Sequence, residues 1–189
     1  SARNKRSKWY GMTPDEIKAA WDAESQRAIT VGNWYHNQRE EDLLGLDTIE
    51  RHGKEIPIVQ PLDDQGFKIA PRQRLKDGMY PEHFVYMKSI GICGQADLVE
   101  VIDGKIHITD YKTNKEIKEK SYVNWEGMSQ KMEFQHVMFE KEAEDENGYP
   151  ILVEGPQGEP VIAEIKRYSL PYMKEEVTNI INWWNNNKS

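Results

Sequence analysis

Two aspartates and a lysine lie on either side of a short turn, and together they could hold a divalent metal ion. Asp97 precedes the dipeptide Asp103-Gly104, and the tripeptide Asp110-Tyr111-Lys112 follows it. An Asp-Gly pair between alternating apolar residues is the strongest short-range signal for a two-residue β-hairpin turn. The register that this turn sets pairs Asp97 directly with Asp110, and the two-residue period of a strand puts Lys112 on the same face.

Two carboxylates at directly paired strand positions repel one another, because their Cβ atoms lie only about 5 Å apart. A divalent cation with oxygen ligands is the usual way to neutralise such a pair. The alternative is a surface hairpin on which solvated Asp97 and Asp110 are offset by Lys112 alone. The apolar residues on the same face favour the metal site, because they predict that this face points into a core. They are Val99, Val101, Ile106 and Ile108.

Gly94-x-x-Asp97 and Asp110-Tyr-Lys112-Thr together resemble the core motif of the PD-(D/E)XK nucleases, in particular their RecB-like branch, which includes phage exonucleases. Members of that branch often carry a histidine on an upstream helix and a glutamate on the strand before the hairpin. His36, in Gly32-Asn-Trp-Tyr-His36, matches the histidine, and Glu82 matches the glutamate. The resemblance spans about residues 30–115.

The resemblance implies a fold, a reaction and a set of site residues. The fold is an α/β (α+β), restriction-endonuclease-like core, in which a central mixed sheet carries the antiparallel Asp/Asp-x-Lys hairpin and is flanked by helices. The reaction is the hydrolysis of DNA phosphodiester bonds, with Mg²⁺ or Mn²⁺ as the cofactor. The implied catalytic residues are Asp97, Asp110 and Lys112; the implied metal ligands are His36, Glu82, Asp97, Asp110 and the backbone carbonyl of Tyr111; the implied substrate-binding residues are Gln95, Lys115 and Gln135.

We expect an exonuclease of phage-type DNA recombination, repair or processing. It would act on single- or double-stranded DNA and have protein partners in a recombination complex. A structure-selective endonuclease is the alternative within the same class. From other classes, the alternatives are a nucleic-acid-binding module that has the fold without the activity, and a metal-stabilised structural domain with no nucleic-acid partner. The joint presence of all five implied side chains favours the enzyme: His36, Glu82, Asp97, Asp110 and Lys112.

Composition limits the other classes of protein that the chain could belong to. Its 189 residues are an ordinary length for one domain with a substantial core. It has no apolar run of membrane-spanning length, and Cys93, its single cysteine, excludes an internal disulfide and the ligand set of an iron–sulfur cluster. These features predict an intracellular protein with no membrane partner, for example in the cytoplasm of a phage-infected cell. The net charge of −7 means that DNA contacts need local cations such as Lys115.

Local signals predict the elements that must position these residues. Thr13-Pro14-Asp15-Glu16 is a capping box that starts a helix to about Arg27, and a second helix from about Gly32 to Leu44 carries His36. Residues 45–81 are predicted to be irregular, apart from short strands near 56–59 and 67–69. Strands follow over 82–88, 92–102, 105–112 and 161–170, and a last helix begins at Pro171.

Together these elements predict one nuclease domain over residues 1–189. Its N-terminal helices occupy 1–45, its catalytic strands 80–115, and its C-terminal strands and helix 133–189. The last helix carries an apolar stripe, which we expect to pack in the core rather than to stack on bases: Val177, Ile180, Ile181 and Trp184.

Two structures compete for the segment around Gln135. RecB-like nucleases follow the lysine strand with a helix whose Gln-x-x-x-Tyr motif lines the DNA channel, and Gln135-His-Val-Met-Phe139 is the nearest match. The same residues also fit a strand over 134–140 in a hairpin that turns at Asp145-Glu-Asn-Gly148 and returns over 149–153. The sequence leaves both structures open.

Overall fold

The computed structural model describes residues 7–71, 73–88, 91–114, 132–170 and 174–187. Within these ranges the chain is a mixed α/β protein with two helices and a mixed central sheet. The described residues form two compact units, one made of 7–35, 113–114 and 137–165, and the other made of the rest. Neither helix in these ranges is both long and apolar enough to cross a membrane. The single nuclease domain stays a prediction.

The first helix, α1, spans Pro14–Leu44 and begins as the sequence predicts. Glu16 donates its N–H to Thr13 Oγ1 at 3.3 Å, and Thr13 donates its N–H to the Glu16 carboxylate at 2.7 Å. The prediction of two separate helices is wrong, because the chain stays helical through Gly32. An interior glycine costs a helix only about 0.5–1 kcal/mol relative to alanine. A Cβ at residue 32 would make only an ordinary contact, 3.4 Å from Thr113 Oγ1.

Nine strands and one more helix follow α1 in the described residues. They are β1 (Thr48–Arg51), β2 (Lys54–Pro57), β3 (Gly78–Met87), β4 (Ile92–Ile102), β5 (Lys105–Lys112), β6 (Met132–Phe139), β7 (Lys141–Glu144), β8 (Pro150–Leu152), β9 (Ile162–Leu170) and α2 (Lys174–Asn187). The central sheet has the strand order β3-β4-β5-β6-β9. Its first three strands are antiparallel, whereas β6 runs parallel to β5. The hairpins β1–β2 and β7–β8 form two separate two-stranded sheets.

The hairpin between β4 and β5 has the predicted turn. Asp103 and Gly104 have φ angles of 53° and 69°, as a type I′ turn requires at both central residues. Asp77 accepts the N–H groups of these two residues at 2.9 and 3.0 Å. Ile102 and Lys105 are the first pair of the ladder, so the predicted register is confirmed next to the turn.

The same register brings the predicted apolar face into the core. The ladder ends at the pair Leu98–Thr109, one step before the predicted pairing of Asp97 with Asp110. Tyr111 instead donates its N–H to the Asp97 carboxylate at 2.5 Å, so this side chain takes the place of a ladder acceptor. The core of the second unit contains Tyr80, Ala96, Val99, Val101, Ile108 and Phe134, with Ile106 packed against it.

Aromatic side chains fill the first compact unit. Tyr35 of α1 is completely buried, and the rings of Trp34 and Phe139 lie 6.2 Å apart between centroids. Trp9 meets Trp21 edge to face at 6.0 Å. These contacts give α1 apolar partners, and tertiary packing of this kind stabilises a helix more than its intrinsic propensity does.

Three predictions outside the β4–β5 hairpin need correction. Residues 45–81 contain the hairpin β1–β2, whose turn residues His52 and Gly53 have φ angles of 52° and 73°. Of the two structures left open around Gln135, the strand is confirmed as β6 and the helix is wrong, whereas the hairpin at the predicted Asp145–Gly148 turn is formed by β7 and β8. The reason is that β6 pairs in parallel with β5, which places β6 inside the central sheet and leaves β7 to pair with β8. In α2, Trp184 is 46% exposed and is not a core residue.

Candidate metal centre

Three of the five implied metal ligands converge in the second compact unit. His36 of α1, Glu82 of β3 and Asp97 of β4 each offer one ligand atom, and these atoms lie within 4.8 Å of one another. No other set of three or more His, Cys, Asp or Glu side chains in the described ranges does so. We call His36, Glu82 and Asp97 the metal triad.

Tyr111 fixes two members of the metal triad from strand β5. Its ring packs edge to face against the imidazole of His36, with centroids 5.7 Å apart and an angle of 84° between the rings. Its N–H holds one oxygen of Asp97 at 2.5 Å, which leaves the other oxygen directed at His36. The main-chain N–H of Tyr111 is therefore structural, and metal ligation by its carbonyl stays a prediction.

Glu82 reaches the metal triad through an unusual backbone conformation. Its φ is 47°, in the left-handed region, and its neighbours Pro81 and His83 pair with the residues on either side of Asp97. A left-handed non-glycine residue costs of order 1–3 kcal/mol and is typically found where function holds it. Gln95 stabilises this conformation of Glu82, because its side-chain amide donates to the Glu82 carboxylate at 2.9 Å and to the Glu82 carbonyl at 3.1 Å.

The electrostatics of the metal triad centre on one nitrogen. His36 Nδ1 lies 3.4 Å from Asp97 Oδ1 and 3.6 Å from Glu82 Oε1. These are ion-pair contacts that are too long for short hydrogen bonds. The contact with Asp97, followed by that with Glu82, raises the pKa of His36 to about 10. Without a cation, a protonated imidazole therefore balances part of the carboxylate charge.

The donor set of the metal triad fits a divalent cation. Divalent cations bind nitrogen and carboxylate oxygen at about 2.0–2.2 Å, so adjacent donors around one cation lie about 3 Å apart. The observed nitrogen–oxygen separations of 3.4 and 3.6 Å exceed this by only a few tenths of an ångström. Within the described part of the chain, neither Glu82 nor Asp97 forms an ion pair with a lysine or an arginine. Two carboxylates and a neutral imidazole thus leave a charge that such a cation would neutralise.

Asp110 and Lys112 pair with each other instead of joining the metal triad. The Lys112 ammonium is in ion-pair contact with Asp110 Oδ2 and lies 5.5 Å from the centroid of the Phe134 ring. The same Asp110 oxygen is buried, and no well-directed hydrogen bond from a described residue reaches it. Burial raises the pKa of Asp110 against the opposing effect of Lys112, and the nearby Asp97 raises it further. Because Lys112 neutralises Asp110, metal ligation by Asp110 stays a prediction.

The three implied substrate-binding residues have different positions. The side-chain amide of Gln95 is hydrogen-bonded to the Glu82 carboxylate, as described above. Gln135 lines a cleft of about 400 Å³ that Arg39 of α1 and Arg167 of β9 also line. Lys115 lies outside the described residues. Substrate binding by these residues is therefore a prediction, and for Gln95 the structure adds a role in holding a carboxylate.

A second histidine–carboxylate cluster, which the sequence did not indicate, lies on the opposite face of the central sheet. His107 Nδ1 is 3.4 Å from Glu100, and His107 Nε2 is 3.9 Å from Glu133. Arg51 pairs with Glu100 at 3.5 Å, and Arg167 pairs with Glu133 at 3.1 Å. We call these five residues the charged row. The hairpin register already pairs Glu100 with His107, but the other three come from elements distant in sequence.

No protein-family model matches the chain. No curated protein and no solved structure matches it either. What can be inferred about function therefore depends on the chemistry of the metal triad and of the residues beside it.

Proposed function

We propose that the chain is a Mg²⁺- or Mn²⁺-dependent deoxyribonuclease with a PD-(D/E)XK core of the RecB-like branch. It would act as an exonuclease in phage-type DNA recombination, repair or processing. One observation carries this proposal: His36, Glu82 and Asp97 offer their ligand atoms within 4.8 Å of one another. The Asp110–Lys112 ion pair next to them supplies the charged groups that a phosphoryl site needs.

The order of the elements supports the proposed core. A helix that carries the histidine precedes three antiparallel strands, which carry Glu82, Asp97 and the pair Asp110–Lys112 in turn. Strand β6 then runs parallel to β5. Two parallel strands need a crossover connection of about a dozen or more residues. Residues 113–131 are long enough for it, although most of them lie outside the described ranges.

The metal triad would bind the cation through Nδ1 of His36 and the carboxylates of Glu82 and Asp97. When bound, a divalent cation polarises the scissile phosphate and lowers the pKa of a coordinated water. His36 must lose its proton to bind, because a metal ligand uses the neutral imidazole. Gln95 would keep the Glu82 carboxylate in place by donating to its other oxygen.

Lys112 would act on the phosphate and on the attacking water. Its ammonium pairs with Asp110, whose carboxyl is close enough to Asp97 and His36 for their charges to affect its pKa, and only 24% of the Lys112 side chain is exposed. A fixed cation in such a setting stabilises the negative charge that develops in the transition state much more than a solvated one does. Asp110 would position this ammonium, so that Lys112 orients the water and offsets the charge of the phosphate.

Two alternatives can be separated experimentally. A structure-selective endonuclease would use the same residues, and it would cut covalently closed circular DNA, whereas an exonuclease would degrade only the linear form. A nucleic-acid-binding module without activity is favoured by one observation, the pairing of Asp110 with Lys112 rather than with the metal triad. Such a module would bind DNA and leave it uncut with either metal.

The test is cleavage of labelled linear DNA with Mg²⁺, with Mn²⁺ and with EDTA. We expect the chain to cut in either metal and to stop in EDTA, and Lys112→Ala to abolish cutting. Lys54→Ala is the matched control, because Lys54 pairs with Asp103 at 2.5 Å near the turn of the same hairpin. An inactive wild-type chain would overturn the proposed activity, and a fully active Lys112→Ala would remove Lys112 from the mechanism.

A further inference from the structure

Beyond the metal triad, the end of β3 presents two aromatic side chains to solvent. Phe84 pairs with Gln95, and Tyr86 pairs with Cys93. Because successive residues of a strand alternate between its two faces, these four side chains lie on one face. Phe84 is 38% exposed and Tyr86 is 50% exposed. We call Phe84, Tyr86, Cys93 and Gln95 the aromatic face.

The aromatic face is continuous with the metal triad through one side chain. Gln95 donates to the Glu82 carboxylate at 2.9 Å, and Phe84 lies directly opposite Gln95 on the neighbouring strand. Tyr86 follows two residues further on, which corresponds to about 7 Å along a strand. The two rings therefore lie one after the other along a path that starts at a metal ligand.

The position of these rings at a sheet edge needs an explanation. β3 is the first strand of the central sheet, and over 83–87 no described strand other than β4 pairs with it. Exposed apolar edges promote aggregation, and proteins usually cover them or place charges on them. Two adjacent exposed rings on such a strand, next to the metal triad, indicate a ligand that has flat apolar faces and also carries a charged group that a metal ion would bind.

We propose that the aromatic face stacks the unpaired bases of one DNA strand whose phosphate lies at the metal triad. The inference rests on the proposed function and names its substrate class, which is single-stranded DNA or a single-stranded end. The bases of a duplex are stacked on one another, whereas unpaired bases can lie flat on aromatic side chains. Stacking of this kind is tolerant of sequence, because every base has a π face.

Binding of a fluorescently labelled thymidine oligonucleotide, measured by anisotropy in EDTA, tests the inference without cleavage. We expect Phe84→Ala and Tyr86→Ala each to weaken binding about five- to hundredfold. Phe84→Trp and Tyr86→Phe keep a ring at each position and should retain the affinity. Tyr10→Ala is the matched control, since Tyr10 is 51% exposed and Tyr86 50%. Calorimetry with Mn²⁺ should give the same metal affinity for the alanine variants and the wild type.

Several outcomes would overturn the inference. One is unchanged oligonucleotide affinity in both alanine variants, and another is an equal loss in Tyr10→Ala. A blunt duplex of the same sequence that binds as tightly, and weakens as much in the alanine variants, would also contradict it. Sedimentation that shows a dimer in the wild type and a monomer in Phe84→Ala, with equal oligonucleotide affinity, would assign the aromatic face to a second copy of the chain.

The proposed function can fail separately from this inference. If the wild type cuts no DNA with Mn²⁺ but the alanine variants lose oligonucleotide binding, the aromatic face still binds a single strand and the nuclease proposal falls. If the wild type cuts DNA and the alanine variants bind the oligonucleotide normally, the nuclease proposal stands and the aromatic face is not its substrate platform.

Discussion

The metal triad and the charged row contain the same types of residue, and they differ in how their charges are balanced. Each places one histidine next to two carboxylates within the second compact unit. In the charged row, Arg51 and Arg167 neutralise the two glutamates. In the metal triad, no lysine or arginine of the described ranges pairs with Glu82 or Asp97.

The two clusters also differ in which histidine atoms face the carboxylates. In the metal triad, the single atom Nδ1 of His36 faces both Asp97 and Glu82. In the charged row, His107 directs Nδ1 at Glu100 and Nε2 at Glu133, on opposite sides of the ring. A cation can contact donors that converge but cannot contact donors on both sides of an imidazole. Convergence without a neutralising arginine is therefore what separates a candidate metal site from a structural ion-pair network.

Cleavage should separate the two clusters most strongly. Asp97→Asn removes a charged ligand of the metal triad and should lower the rate of DNA cleavage by roughly 10²–10³-fold, a loss typical of removing one group that stabilises the transition state. Glu100→Gln makes the same chemical change in the charged row and should leave the rate unchanged. Rates would be measured on labelled linear DNA with saturating Mn²⁺. A comparable loss in both variants would remove the distinction between the clusters.

Thermal unfolding should respond to metal through the metal triad alone. At a Mn²⁺ concentration about 100 times the dissociation constant, binding to the folded state adds about 2.7 kcal/mol to the free energy of unfolding. For a chain of this size that corresponds to a rise in Tm of about 5–10 °C. By scanning calorimetry we expect the full rise in the wild type and in His107→Gln. In His36→Gln we expect at most about half of it, since a site that binds tenfold more weakly adds only about 1.4 kcal/mol at the same Mn²⁺ concentration. A full rise in His36→Gln would contradict ligation by that residue.

The affinity for Mn²⁺ compares the metal triad with the charged row in a measurement that does not depend on DNA cleavage. His36→Gln should weaken binding by at least about tenfold, since loss of even an outer partner of a metal ligand costs about 10–100-fold. His107→Gln should bind Mn²⁺ as the wild type does. Titration calorimetry measures both constants, and weaker binding in His107→Gln alone would place the cation in the charged row.

The pH dependence of Mn²⁺ affinity should identify the proton that the cation displaces. The carboxylates raise the pKa of His36 from 6.5 to about 10, so binding at neutral pH releases one proton. Affinity should then rise about tenfold per pH unit between about pH 7 and 9. Without metal, the His36 contribution to stability is full below pH 6.5 and is lost as the pH rises through about 10. The rise in affinity should be absent in His36→Gln, and a flat wild-type profile would refute the assignment.

The features that the sequence predicted well are local ones. The Asp103-Gly104 turn sets the register of β4 and β5, and the Thr13–Glu16 capping box starts α1 where the pattern indicated. Both depend on residues close together in the chain, for which turn and capping chemistry are nearly sufficient. The approach of His36 to Asp97 was predicted only through a resemblance, because the two residues are far apart in sequence.

The features that the sequence did not predict depend on distant contacts. The sequence left a helix and a strand open for Gln135, and the parallel pairing of β6 with β5 decides for the strand. The helix α1 continues through Gly32, where two separate helices were expected. The left-handed φ of Glu82 is held by Gln95 from the next strand, and no local signal marks it. The partner of Asp110 was expected to be a metal ion, whereas Lys112 two residues away neutralises it. Local pattern gave the positions of these carboxylates but not how their charges are balanced.

The most direct test is a crystal structure of the chain with Mn²⁺, with anomalous diffraction data collected near the manganese absorption edge. A single strong anomalous peak among His36 Nδ1, Glu82 and Asp97 is the expected result. A peak between Glu100 and Glu133, or no peak beside His36 at a Mn²⁺ concentration that saturates binding in solution, would contradict the metal triad.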